Sequence, residues 1–61
     1  MNRHTTFKLK KRLRVRLKNG DQFSDKLIDQ TDKYLVFVLV GRVMKETIQS
    51  AAYFKAQQNR I

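Results

Sequence analysis

Residues 7 to 21, FKLKKRLRVRLKNGD, place apolar side chains at Phe7, Leu9, Leu13, Val15 and Leu17 and a base at every even position from Lys8 to Lys18. Successive side chains leave a pleated strand on opposite faces, so the alternation predicts a half-buried strand with one core face and one cationic face. Lys8, Lys10, Arg12, Arg14, Arg16 and Lys18 share the outward row, and only Lys11 breaks the pattern. Same-face residues lie roughly 6.6 Å apart, close enough for like charges to repel unless anions come between them. A solvated edge strand is the plainer reading, since exposed lysine discourages edge-to-edge pairing. Residues 1 to 18 contain no acid at all, which favours anion binding, with a polyanion as the natural ligand.

Asn19-Gly20 follows directly, and both residues tolerate the positive φ of a type I′ hairpin turn, so the chain is expected to reverse there. DQFSDKLID continues as a second strand with Phe23 and Leu27 in phase, interrupted by Ile28. DQTD at Asp29 to Asp32 reads as a turn. YLVFVLV, Tyr34 to Val40, is β-branched, aromatic and apolar on both faces, the composition of a central strand. Gly41-Arg42 permits another reversal, RVMKETIQ forms a fourth strand contacting the core through Val43 and Ile48, and AAYFKA forms a short fifth. KETIQSAAYFKAQQNR also contains good helix formers and no breaker, so hairpins closed by a C-terminal helix are the alternative fold. The expected organisation is a flexible stretch at 1–6, a single β domain at 7–56 and a tail at 57–61.

Sixty-one residues bury a small core, and no cysteine is present to form a disulfide or a thiolate metal site. His4, the lone histidine, has no partner ligands nearby and reads as a surface residue. Stability is therefore expected to draw on association between chains. YLVFVLV is too short to span a bilayer and no signal peptide precedes it, which points to a cytoplasmic protein without a membrane partner. The net charge of +9 is uneven: eight bases in residues 1 to 18, a local balance of −3 in residues 19 to 32, and +4 in residues 33 to 61. A nucleic-acid site is thus expected on one side of the molecule. The aspartates are read as turn residues and partners of neighbouring bases. No nucleophile, metal or nucleotide-phosphate motif is present, so neither catalysis nor a cofactor is expected.

The run VRLKNGDQFSDKLIDQTDKYLVFVLV resembles the first motif of Sm-like proteins, in which a strand ends in a leucine-containing dipeptide and Asn-Gly. In that motif a second strand leads to an Asp-x-aromatic signal, here Asp32-Lys33-Tyr34. VMKETIQSAAYF resembles the second motif of the bacterial branch, Hfq, where a Tyr-Lys-His triplet precedes an isoleucine and a final short strand. The resemblance covers residues 12 to 54. It implies a strongly bent five-stranded antiparallel sheet, an Sm-like or SH3-like barrel, assembled into a homo-oligomeric ring of six or seven subunits. It further implies that Tyr34 stacks on a uracil near the pore, that Lys33 replaces a neighbouring glutamine, and that Lys45 is the lysine of the triplet. Met44 and Glu46 replace its tyrosine and histidine, and a glutamate there would repel phosphate. On the opposite face, Arg16 takes the place of an aromatic that stacks on adenine; Asp25 stands where glycine is usual. Phe23, Phe37 and Phe54 are expected in the core.

The function expected from these readings is non-catalytic binding of single-stranded RNA, by phosphate contacts and base stacking, in RNA regulation or metabolism. The candidate binding residues are Lys8, Lys10, Arg12, Arg14, Arg16, Lys33, Tyr34 and Lys45. Alternatives are a viral or plasmid type of DNA-binding protein that uses a basic β-ribbon, and a module whose basic face docks an acidic partner.

Overall fold

A computed structural model of the protein describes residues 5–54. His4, the tail at 57–61 and the end of the expected fifth strand at Lys55 and Ala56 lie outside the described residues. The first strand, β1 (Arg12–Leu17), is joined to β2 (Gln22–Gln30), which is followed by β3 (Tyr34–Phe37), β4 (Gly41–Met44), a 3₁₀ turn at Lys45–Thr47, and β5 (Ile48–Tyr53). They form one antiparallel sheet in the order β4-β3-β2-β1-β5. The described residues are mainly β with almost no helix, and strand pairing at β5 takes the place of the C-terminal helix considered above.

The first reversal lies at Asn19-Gly20, but the loop differs from the expected type. Gly20 N–H donates to the Leu17 carbonyl at 3.0 Å and Leu17 N–H to the Asp21 carbonyl at 2.7 Å; Gly20 has φ +98°, while the φ of Asn19 is not positive. This is a type I turn followed by a left-handed glycine, a three-residue hairpin loop. It pairs Val15 with Phe23 and Leu13 with Asp25. A two-residue loop would slip the register by one and set Val15 against Ser24, mixing the faces.

β2 is the central strand, where β3 was expected. Its first half pairs with β1 and its second half with β3, and the β3 pairing skips Ile28: Leu27 faces Phe37, whereas Asp29 faces Val36 and Gln30 faces Leu35. Ile28 is therefore the extra residue of a bulge, the physical reason that the apolar alternation fails there. A second bulge at Gln49 separates the pairs Leu17–Ile48 and Arg16–Ser50. The core comprises Leu13, Val15, Leu27, Leu35, Phe37, Val43 and Ile48, with Phe7, Leu17, Phe23 and Ala51 packed against it. Each fully buried aliphatic contributes about 1.5–3 kcal/mol relative to exposure. Phe23 and Phe37 meet edge to face at 5.1 Å.

Three expectations are corrected. The strand expected from Phe7 begins at Arg12, because Lys10 adopts φ +69° and turns the chain; Leu9 is consequently exposed. Residues 5–11 instead lie against the sheet. Phe7 N–H donates to Gln30 Oε1 at 2.9 Å and Gln30 Nε2 donates to the Phe7 carbonyl, Lys10 N–H reaches the Leu27 carbonyl at 2.6 Å, and Leu27 N–H reaches the Lys11 carbonyl at 2.9 Å. Second, the apolar run YLVFVLV is a strand only to Phe37, and Val38, Leu39 and Val40 form an exposed turn with Leu39 86% accessible. The reversal thus precedes Gly41. Third, Asp25 is neither a turn residue nor a surface partner: it is 3% exposed. Its Oδ2 accepts from Leu39 N–H at 2.7 Å and Val40 N–H at 2.9 Å, while Oδ1 accepts from Lys26 N–H at 2.7 Å. These bonds hold the apolar turn and end β3 early.

Candidate functional site

Arg12, Arg14 and Arg16 project from the outer face of β1, since Leu13 and Val15 between them are fully buried. Their cross-strand neighbours are Lys26, Ser24 and Gln22 on β2 and, for Arg14 and Arg16, Ala52 and Ser50 on β5. No carboxylate is in register with any of the three. Serine and alanine are short, so the guanidinium groups stand above a low floor, and Arg14, Arg16, Gln22, Ser50, Ala51 and Ala52 line one shallow depression. Lys26, opposite Arg12, extends the cationic row onto β2.

At the far end of the ladder, Phe54 N–H donates to the Arg12 carbonyl at 2.8 Å, continuing the β1–β5 pairing by one residue. The Phe54 ring is 38% exposed; the Arg12 and Arg14 guanidiniums lie 5.7 Å and 5.9 Å from its centroid. This is a correction to its expected place in the core. A pocket of about 280 Å³ beside it is lined by Lys8, Lys11, Arg12, Tyr53 and Phe54. Tyr53 forms one wall: its hydroxyl accepts from Lys8 N–H at 2.9 Å and its ring meets Phe7 edge to face at 5.8 Å. Lys8 therefore reaches the basic face from the N-terminal segment and not from β1. Lys10 is exposed in the turn before β1.

Lys33, Tyr34 and Lys45 come together away from this row. Lys45 N–H donates to the Lys33 carbonyl at 2.8 Å, and Lys33, Met44, Lys45 and Glu46 line a common pocket. Thr31 makes the bend before them, its hydroxyl accepting from Lys33 N–H and Tyr34 N–H, each at 3.1 Å. The Lys45 side chain is 2% exposed and its Nζ donates to the Thr5 carbonyl at 2.9 Å, so it ties the N-terminal segment to the 3₁₀ turn. The Tyr34 ring carries the Arg42 guanidinium at 4.8 Å from its centroid, which occupies one π-face.

Sequence reasoning did not select Phe54, Lys11, Lys26 or Arg42. Lys26 and Arg42 depend on cross-strand register, and Lys11 is the residue that breaks the alternation. Asp25, in phase with Phe23 and Leu27 at period two, carried a legible signal of facing inward. Burial disfavours its charged form, yet the N–H groups of Val40, Leu39 and Lys26, aided by the charge of Arg12, outweigh that and hold its pKa below the usual 3.8. Among the described residues, no group of three or more His, Cys, Asp or Glu side chains is placed to hold a metal ion, and no helix is long and apolar enough to cross a membrane. No protein-family model, curated protein or solved structure matches the chain.

Proposed function

We propose that the protein is a non-catalytic, cytoplasmic RNA-binding protein whose basic face holds single-stranded RNA, in the service of RNA regulation or metabolism. The observation that carries this reading is the row Arg12, Arg14 and Arg16, exposed together on β1 with only neutral or basic cross-strand neighbours. Such a row is self-repelling until phosphates intervene, and its spacing of roughly 6.6 Å suits the phosphates of a flexible single strand. Arginine adds bidentate donors and a planar group that stacks on bases.

The same reading has the protein assemble as an Sm-like ring of six or seven copies. β4 and β5 are the two edges of the sheet, and each can pair with the other edge of a neighbour, which would remove exposed strand edges and enlarge a small core. The test is the native mass of nuclease-treated protein, followed by RNA affinity across a salt series. The reading expects a hexamer or heptamer whose log affinity falls linearly with log salt. A monomer would remove the ring, and equal salt slopes for wild type and a variant with all three arginines replaced by glutamine would remove the phosphate-binding role. Preferential binding of duplex DNA would favour the β-ribbon alternative.

A further inference from the structure

We infer that the pocket between the N-terminal segment and the end of β5 is a site for one unpaired nucleotide, its base on the Phe54 ring and its phosphate on Lys8, Lys11 and Arg12. The inference rests on the RNA-binding reading and assigns that face its point of base contact. Phe54 is placed by main-chain pairing to Arg12 at 2.8 Å, so its ring stands at a defined height beside the arginine row. It is a half-open aromatic surface among cations, whereas the other ring near the row, Tyr53, has its hydroxyl engaged by Lys8 and its ring by Phe7. Tyr34 lies in the separate cluster, where the Arg42 guanidinium sits closer to its ring, at 4.8 Å, than either guanidinium sits to Phe54.

The separations around the Phe54 ring suit a base. Guanidiniums 5.7 Å and 5.9 Å from the ring centroid are within cation–π range yet beyond stacking contact. A base held between ring and guanidinium requires about 7 Å, two stacking intervals of roughly 3.4 Å, which a long arginine side chain reaches by moving about an ångström. The pocket volume of about 280 Å³ accommodates one nucleotide. A duplex cannot use it, because the faces of its bases are covered by stacking on one another. Lys8, Lys11 and Arg12 line the pocket beside Phe54, so the phosphate of the same nucleotide would lie on them, and the strand would then run on along Arg14 and Arg16.

The chain contains no tryptophan, so Phe54→Trp reports on this ring alone. The experiment titrates that variant with a short oligouridylate, with an abasic oligonucleotide of equal length and charge, and with duplex RNA, while Phe54→Leu and Phe54→Ala are compared with wild type in affinity and salt slope. Stacking is expected to quench the tryptophan with the oligouridylate and not with the abasic or duplex probes, and both replacements are expected to weaken oligouridylate binding about tenfold with the salt slope unchanged. Phe54→Leu keeps the apolar bulk without the π-face and guards against a folding defect in the alanine variant. Unchanged emission, or Phe54→Leu binding like wild type, overturns the nucleotide site while salt-dependent binding by wild type leaves the RNA-binding reading standing. Absence of oligouridylate binding by wild type overturns both.

Discussion

The carboxylate of Asp25 accepts the N–H of Leu39, fourteen residues downstream, at 2.7 Å from inside the sheet. Two further N–H groups, of Val40 and Lys26, converge on the same carboxylate. A turn made only of Val38, Leu39 and Val40 has no asparagine, aspartate or serine of its own to satisfy its backbone. Asp25 supplies that function from β2.

Replacing Asp25 with alanine therefore orphans donors at the turn and at Lys26. The expected loss is at least ~2 kcal/mol of folding stability, since hydrogen bonds to a charged acceptor are worth more than neutral ones and a buried donor left unpaired adds its own cost. Urea unfolding of wild type and Asp25→Ala, read by far-ultraviolet circular dichroism, measures it. A change within experimental error would mean that the turn holds without the carboxylate.

Acid should act on the same group. Its folded-state pKa lies below the 3.8 of an ordinary carboxyl, so its stabilising contribution is whole above that value and is lost as pH falls through the folded pKa. The stability gap between wild type and Asp25→Asn is expected to stay constant from neutral pH down to 3.8 and to narrow below it. Unfolding midpoints across an acid series would show this, and a gap that narrows near neutrality would assign the transition to another group.

Lys45 should behave as an anchor, because its buried ammonium donates to the Thr5 carbonyl across forty residues of sequence. Lys45→Ala is expected to cost about 1–3 kcal/mol and to speed tryptic cleavage at Lys8, Lys10 and Lys11. Arg14→Ala should leave proteolysis as it is and lower the salt slope of RNA binding by about 0.7.

Gly41 starts β4 at φ +87° with open space where a Cβ would stand. The cost of Gly41→Ala is then backbone strain alone, about 1 kcal/mol, and Gly41→Asn should cost less because asparagine tolerates the left-handed region. Equal unfolding midpoints for all three proteins would show that the turn relaxes to negative φ.

Local chemistry made much of this protein legible in its residues. Alternation from Leu13 to Leu17 and the pair Asn19-Gly20 constrain only their own neighbours, and the strand and the reversal stand where they are expected, whereas the β-branched run at Tyr34 gives a strand that stops at Phe37 and is not the central one. The outward arginines follow from the same period of two, since whichever face takes Leu13 and Val15 inward turns Arg12, Arg14 and Arg16 out. Other features depend on partners that local patterning does not see. The three-residue loop sets the register of β1 against β2, Asp25 converts the end of an apparent strand into a turn, and Lys45 is buried by a carbonyl forty residues away. Phe54 has the composition of a core residue but emerges beside Arg12 because β5 pairs with β1 at the sheet edge and a bulge at Gln49 shifts its phase. Charge and period were therefore settled within the chain's own short stretches, whereas the partners of the Asp25 carboxylate, the burial of Lys45 and the exposure of the aromatic were decided by tertiary pairing, which exists only once distant segments meet.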